Sequence, residues 1–231
     1  MKHPFAAACL LFVAILMVGC ASPPVRIISA DDNPIDGLSQ DDIVIRYFTQ
    51  REAISIGSDP KTLTRCGYAL SPRIWKMTFA NPGAENESFD CQVPADNYVL
   101  LELISALTIS LGPSGTCEST ILSASRSVDE FSDAELLLDD QVVMDLKPFR
   151  RPINGCRIPI GWERSRPVPA GADGYFVLLA PLGESRQRFR FAVTHPCWYN
   201  RRDPDNGQCP ADSSRRTVEL IIAGENAAES R

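Results

Sequence analysis

Cysteine is the residue type with the most chemical potential in this chain: eight occur, at positions 9, 20, 66, 91, 117, 156, 197 and 209. Thiolates can bind zinc or act as nucleophiles, and paired thiols oxidise to disulfides. No Cys-x-x-Cys pair occurs, so close zinc-ligand spacing is missing and no metal site is expected. Setting aside Cys9 and Cys20 leaves Cys66, Cys91, Cys117, Cys156, Cys197 and Cys209. An even number in an exported chain reads as a disulfide framework with fifteen possible connectivities. Local pairing, 66–91, 117–156 and 197–209, is the simplest. The last has a mechanism of its own, because Asp203-Pro204-Asp205-Asn206-Gly207 between those cysteines is a dense turn signal.

Other reactive types are sparse or badly spaced. His195 is the only histidine beyond His3. A Ser-His-Asp hydrolase would also need a Gly-x-Ser-x-Gly elbow to present its serine, and none exists. Asp203, Asp205 and Asn206 offer oxygens to calcium, but Gly207 comes one position early for an EF-hand and no closing Glu follows. They read better as a solvated turn. Acidic residues cluster between Asp129 and Asp145, and basic ones between Lys147 and Arg166. Two such carboxylates about 5–10 Å apart in a cleft would serve glycoside hydrolysis, although opposed patches more often make ion pairs. Trp75, Trp162 and Trp198 read as packing rather than a sugar platform. Arg150-Arg151 and Arg201-Arg202 read as solubilising charge. No phosphate-cradling glycine loop is present. No catalytic residue and no cofactor follow from these patterns.

The N-terminus carries a sharper signal. Met1-Lys2-His3 is followed by an unbroken apolar run from Phe5 to Val18. As a helix this run rises about 21 Å, short of a bilayer span, and has the anatomy of a secretory signal peptide. Leu16-Met17-Val18-Gly19-Cys20 then resembles the lipobox of bacterial lipoproteins, with Met17 where that family most often has Leu. The resemblance implies cleavage before Cys20, diacylglyceryl transfer to its thiol and acylation of the new amine. Acyl chains in that number give stable membrane anchoring. Ser22, where an Asp would imply retention at the inner membrane, favours the outer membrane.

These features divide the chain into a signal peptide (1–19), a lipidated Cys20 with a flexible polar tether (20–38), one β-rich domain (39–224) and a disordered tail (225–231). Ser39 with Asp42 resembles a helix N-cap, so a short helix is expected over 40–53. Ile74-Trp75-Lys76-Met77 is ambiguous between helix and strand. Asn97 to Leu111 is apolar and β-rich, with Glu102 its only charge. Glu135 to Met144 reads as a hairpin turning at Asp139-Asp140, and Gly174 to Leu182 as a buried strand. Phe189, Phe191 and Val193 alternate with Arg188, Arg190 and Ala192, the period of a half-buried strand, and Thr217 to Ala223 alternates likewise. The expected architecture is an antiparallel β-sandwich with a short N-terminal helical segment, pinned by disulfides.

Three further stretches, Leu138 to Val143, Phe149-Arg150-Arg151 and Ala172 to Leu182, together with Cys91-Gln92-Val93-Pro94, are similar to an uncharacterised family of bacterial exported proteins. Gly183-Glu184-Ser185-Arg186 replaces that family's usual Pro-Gly-x-His turn. The resemblance implies the same fold and address and carries no mechanism with it.

A net charge of −6 argues against a nucleic-acid partner. The expected function is that of a membrane-anchored envelope lipoprotein whose domain binds or builds without catalysis, with an envelope protein or glycan as partner. The alternative is a carboxylate-dependent hydrolase of a glycan or cell-wall substrate.

Overall fold

The computed structural model describes residues 26–29, 32, 35–56, 66–77, 86–110, 115–138, 141–143, 146–153, 169–194 and 215–225. In chain order the elements are α1 (Gln40–Ile56), β1 (Tyr68–Ser71), β2 (Ile74–Lys76), β3 (Asn86–Pro94), β4 (Tyr98–Ile109), α2 (Cys117–Asp129), β5 (Ser132–Leu138), β6 (Gln141–Val143), a 3-10 turn (Lys147–Phe149), β7 (Ala170–Leu179), β8 (Arg186–Thr194) and β9 (Arg215–Glu225).

The strands form two sheets, ordered β1-β2-β4-β7 and β3-β9-β8-β5-β6. They face each other across a core in which Val99, Leu101, Val177 and Leu179 meet Leu136, Phe189, Phe191, Val218 and Ile222. This is the expected β-rich sandwich. Most pairings are antiparallel, while β2 runs parallel to β4 and β3 parallel to β9. The outer side of the four-stranded sheet is also covered, by Ile43, Val44, Tyr47 and Phe48 of α1 packed on Ile74, Leu100, Phe176 and Leu178. A strand covered on both faces has no solvent side to fill with polar residues. That is why β4 and β7 read as continuous apolar runs while β8, on the outer sheet, alternates between exposed and buried.

Local chemistry starts both helices. The Ser39 hydroxyl accepts from the Asp42 backbone N–H at 3.2 Å, and the Asp42 carboxylate accepts from the Ser39 hydroxyl at 2.6 Å, so α1 begins where the capping pattern placed it. The second helix was not expected. Its start is a capping box between Thr116 and Ser119, and its buried stripe is only Thr120, Ala124 and Val128. The stripe is narrow, but Cys117, Ile121, Ala124 and Val128 recur at helical spacing among the serines, a signal that the sequence did carry. The narrow stripe suffices because α2 sits directly on Gly171 of β7, where an added Cβ would lie 2.2 Å from the Ile121 nitrogen.

The domain begins earlier than the sequence suggested. Ile27 bridges to Leu179, Ile28 N donates to Leu178 O at 2.8 Å, and Ala180 N donates to Arg26 O at 2.9 Å. Ile28 and Ile35 are buried beside α1. These apolar residues are spaced among Asp, Asn and Pro, which made the stretch read as tether. With Arg150 and Ile153, which bridge Tyr175 and Ala172, residue 27 also covers the edge of β7 against strand addition.

Cys66, just before β1, is disulfide-bonded to Cys91 of β3. The bond joins the two sheets at one side of the sandwich, and closing a loop of 25 residues stabilises by about 3.5 kcal/mol in the chain-entropy model. Cys117 is disulfide-bonded as well, to a partner outside the described residues. Cys20, Cys156, Cys197 and Cys209 lie outside them too.

Candidate functional site

Lone charges inside apolar strands must find partners or stay out of the core, and two strands bring such charges together. Lys76 shares the α1-facing side of β2 with Ile74, two residues before it, and is 1% exposed. Glu102 lies on the same side of β4. A register shift between Glu102 and Ile104 adds a residue to this strand, so that Ser105, which an ideal pleat would turn to the opposite face, also points toward α1.

The resulting cluster is closely knit. The Lys76 ammonium lies 3.2 Å from Glu102 Oε2 and donates to the Met77 carbonyl. Tyr47 of α1 donates its hydroxyl to the same Glu102 oxygen at 2.5 Å, and Ser105 donates to Oε1. The ammonium also sits 4.8 Å from the centre of the Tyr47 ring, a cation–π arrangement. Chemically this is an ion pair capped by two hydroxyl donors. With Nζ closed under the tyrosine, the amine is placed to hold α1 on the sheet, and no substrate carbonyl can approach it in this conformation.

A second cluster ties α2 to the edge of β7. The 3-10 turn at Lys147–Phe149 leads Arg150 onto that edge, where Arg151 N donates to Gly174 O at 2.8 Å. Arg150 donates through Nε and Nη2 to Asp173 Oδ2 at 2.9 and 2.7 Å, and through Nη1 to Asp129 Oδ1 at 2.7 Å. Asp173 is 0% exposed, and its other oxygen accepts from Gly174 N at 2.7 Å. The hydrogen bond to Asp173 raises the Arg150 pKa well above the ordinary arginine range; it outweighs the opposing effect of burial, and Asp129 adds to it.

The acidic and basic clusters of the sequence therefore do meet, at Asp129 and Arg150. They meet as an ion pair: the two carboxylates that converge here are bridged by one guanidinium.

A shallow recess lies between α1 and the sheet, lined by Gln40, Ile43, Val44, Leu100, Arg151, Phe176 and Leu178. Its polar rim is engaged in the fold. Arg151 Nη2 donates to Gln40 Oε1 at 2.9 Å, and Gln40 Nε2 donates to Ser29 O at 2.6 Å. The rim thus fastens the N-terminal segment to α1.

Of the residues that the sequence brought forward, Cys66 and Cys91 are joined and Trp75 donates to the Cys66 carbonyl at 3.1 Å, which is packing beside the disulfide. His195, Asp203, Asp205, Asn206, Trp162, Trp198, Arg201 and Arg202 lie outside the described residues. Among the described residues no group of three or more His, Cys, Asp or Glu is placed to hold a metal ion, and no helix is long and apolar enough to cross a membrane. Lys76 and Asp173 were missed, although a lone charge in an apolar strand was the available signal.

No family model matches the sequence. The thiamine import ATP-binding protein ThiQ of Chelativorans sp. is 32% identical over 78 residues, which is 34% of this chain and 28% of that protein. This chain thus spans little more than a quarter of that relative, and it carries no Gly-x-x-x-x-Gly-Lys-Ser/Thr phosphate loop. Among solved structures, PbICP-C in its complex with falcipain-2 aligns over 66% of this chain and 99% of its own, at 8% identity and a TM-score of 0.26. A likeness of that degree assigns neither fold nor function.

Proposed function

We propose that this chain is a lipid-anchored protein of the bacterial envelope, held at the outer membrane through Cys20, whose β-sandwich works by surface contact with an envelope protein or glycan. The observation that carries the reading is the abrupt end of the apolar run Phe5 to Val18 at Gly19-Cys20, the arrangement of a cleaved and acylated signal. The disposition of the polar core groups supports a non-catalytic role. Lys76, Glu102, Asp173 and Arg150 are all engaged with one another or with backbone, whereas a catalytic group needs a face open to substrate. A carboxylate hydrolase is the less favoured reading, because Asp129 and Asp173 are held by Arg150.

Mass spectrometry of the mature N-terminus tests the anchor: it should begin at Cys20 and carry acyl chains. Cys20→Ser should leave the protein unprocessed or soluble. A native protein recovered wholly in the soluble fraction contradicts the reading. Turnover of a cell-wall glycan by the purified domain, abolished by one Asp or Glu substitution that leaves it folded, would establish the hydrolase instead.

A further inference from the structure

We infer that the sandwich has a fixed membrane-facing pole, formed by the turns at 71–74, 94–98 and 180–185, and that it stands on this pole against the phospholipid headgroups. The inference rests on the lipid anchor at Cys20 proposed above.

Two observations carry it. The first is where the chain enters the domain. Arg26 pairs with Ala180 and Ile27 with Leu179, antiparallel to β7, so the described chain enters the domain at the C-terminal end of β7. Six residue steps separate Arg26 from Cys20, a reach of at most about 20 Å even when fully extended. The far end of β7, at Gly171 and the start of α2, is nine residues further along the strand, about 30 Å away. A lipid at Cys20 can therefore bring one end of the sandwich to the headgroups, while the other end lies beyond its reach unless the domain lies flat.

The second observation is that this pole is a single stitched unit. Tyr98 N donates to Arg73 O at 2.8 Å, joining the first turn to the start of β4. Gly183 N donates to Ala95 O at 3.0 Å, joining the third turn to the second across the two sheets. Gly224 N donates to Ser185 O at 3.3 Å, and a Cβ on Gly224 would fall 1.6 Å from Gly183 O. Ala180 N, through Arg26 O, ties the entering chain to the same unit. The point at which the chain enters the domain is thus hydrogen-bonded into the same unit as the three turns. Arg73 is paired with Asp36 and Arg186 with Asp90, and Asp96 and Glu184 are exposed beside them, so this pole carries no excess of positive charge. Contact is therefore set by leash length and needs no anionic lipid. The opposite pole, with the start of α2, is the end left free for a partner in the envelope space.

The test uses the full mature chain, lipidated at Cys20, in phosphatidylcholine vesicles whose headgroups carry a spin-label quencher. A fluorescent amino acid replaces Asp96 or, in a second protein, Glu184, both exposed at the near pole. In a third it replaces Glu118, exposed at the far pole. Either near-pole probe should be quenched several-fold more than the Glu118 probe, with little dependence on salt. An insert of about 20 Gly/Ser residues between Ser22 and Pro23, adding a root-mean-square span of about 25 Å, should bring the three probes toward equal quenching. Equal quenching on the native leash, or stronger quenching at Glu118, overturns the pole assignment while leaving the anchor standing. Failure of the protein to float with the vesicles overturns the anchor itself, and the pole with it.

Discussion

Changing Glu102 to Gln removes the carboxylate that pairs with the Lys76 ammonium while keeping a side chain that can still accept from Tyr47 and Ser105. At 3.2 Å the pair's attraction is about 5 kcal/mol with an effective dielectric near 20. Much of that offsets the cost of taking both ions out of water. The net penalty for breaking such a buried pair is about 3–5 kcal/mol, because a charge is left uncompensated. The two halves of the pair are not equivalent. Lys76 is 2% exposed in its side chain and Glu102 19%, so Glu102→Gln takes the pairing carboxylate from the more deeply buried charge and should cost about 4 kcal/mol. Lys76→Met strands a carboxylate that still has two hydroxyl donors and some water, and should cost about 2 kcal/mol. The double variant removes both charges of this pair and should fall within about 1 kcal/mol of the natural protein. Urea unfolding of the mature domain with its disulfides intact reads these values directly. With a slope of about 2 kcal/mol per molar, the midpoint should drop by roughly 2 M for Glu102→Gln and roughly 1 M for Lys76→Met. If Glu102→Gln proved no worse than Lys76→Met, or if the two costs simply added in the double variant, the reasoning from burial and pairing would be refuted.

Three other predictions follow from the packing. Arg150→Lys keeps a charge but loses the two-nitrogen grip on Asp173, and should cost about 2 kcal/mol in thermal or urea unfolding. Because the Arg150 pKa is raised on folding, its contribution is complete at pH values below the ordinary arginine range and is lost only above it; the deficit of the variant relative to the natural protein should therefore owe nothing to Arg150 titration between pH 6 and pH 9. Gly171→Ala puts a methyl group into the α2 backbone and should destabilise by about 2–3 kcal/mol, with α2 amides exchanging faster than those of the outer sheet. Non-reducing peptide mapping should recover Cys117 bonded to Cys156: Ile153 pairs with Ala172, whose neighbour Gly171 lies against the start of α2, and three residues reach about 10 Å. Recovery of Cys117 with Cys197 or Cys209 would refute that pairing.

Sequence alone determined what depends on neighbours along the chain. The Ser39 and Asp42 cap, the hairpin β5–β6, the alternation of β8 and the apolar continuity of β7 are each set by residues within a few positions of one another, and each was legible. The sandwich class followed from their periods. What only the tertiary structure decided depends on residues far apart. Lys76 and Glu102 are 26 positions apart, and nothing local says that β2 and β4 run parallel or that a bulge turns Ser105 toward the same carboxylate. Asp173 is buried beside a glycine because Arg150 arrives from another segment to neutralise it. The second helix carries its cap and its apolar period within its own segment, but the Gly171 surface that receives it comes from a distant strand. Ile27 and Ile28 look like linker until β7 offers them an edge. In each case a lone charge, a glycine or a stray isoleucine was visible in the sequence, but its partner came from chain folding, since burial and pairing are properties of two surfaces and the sequence displays them one residue at a time.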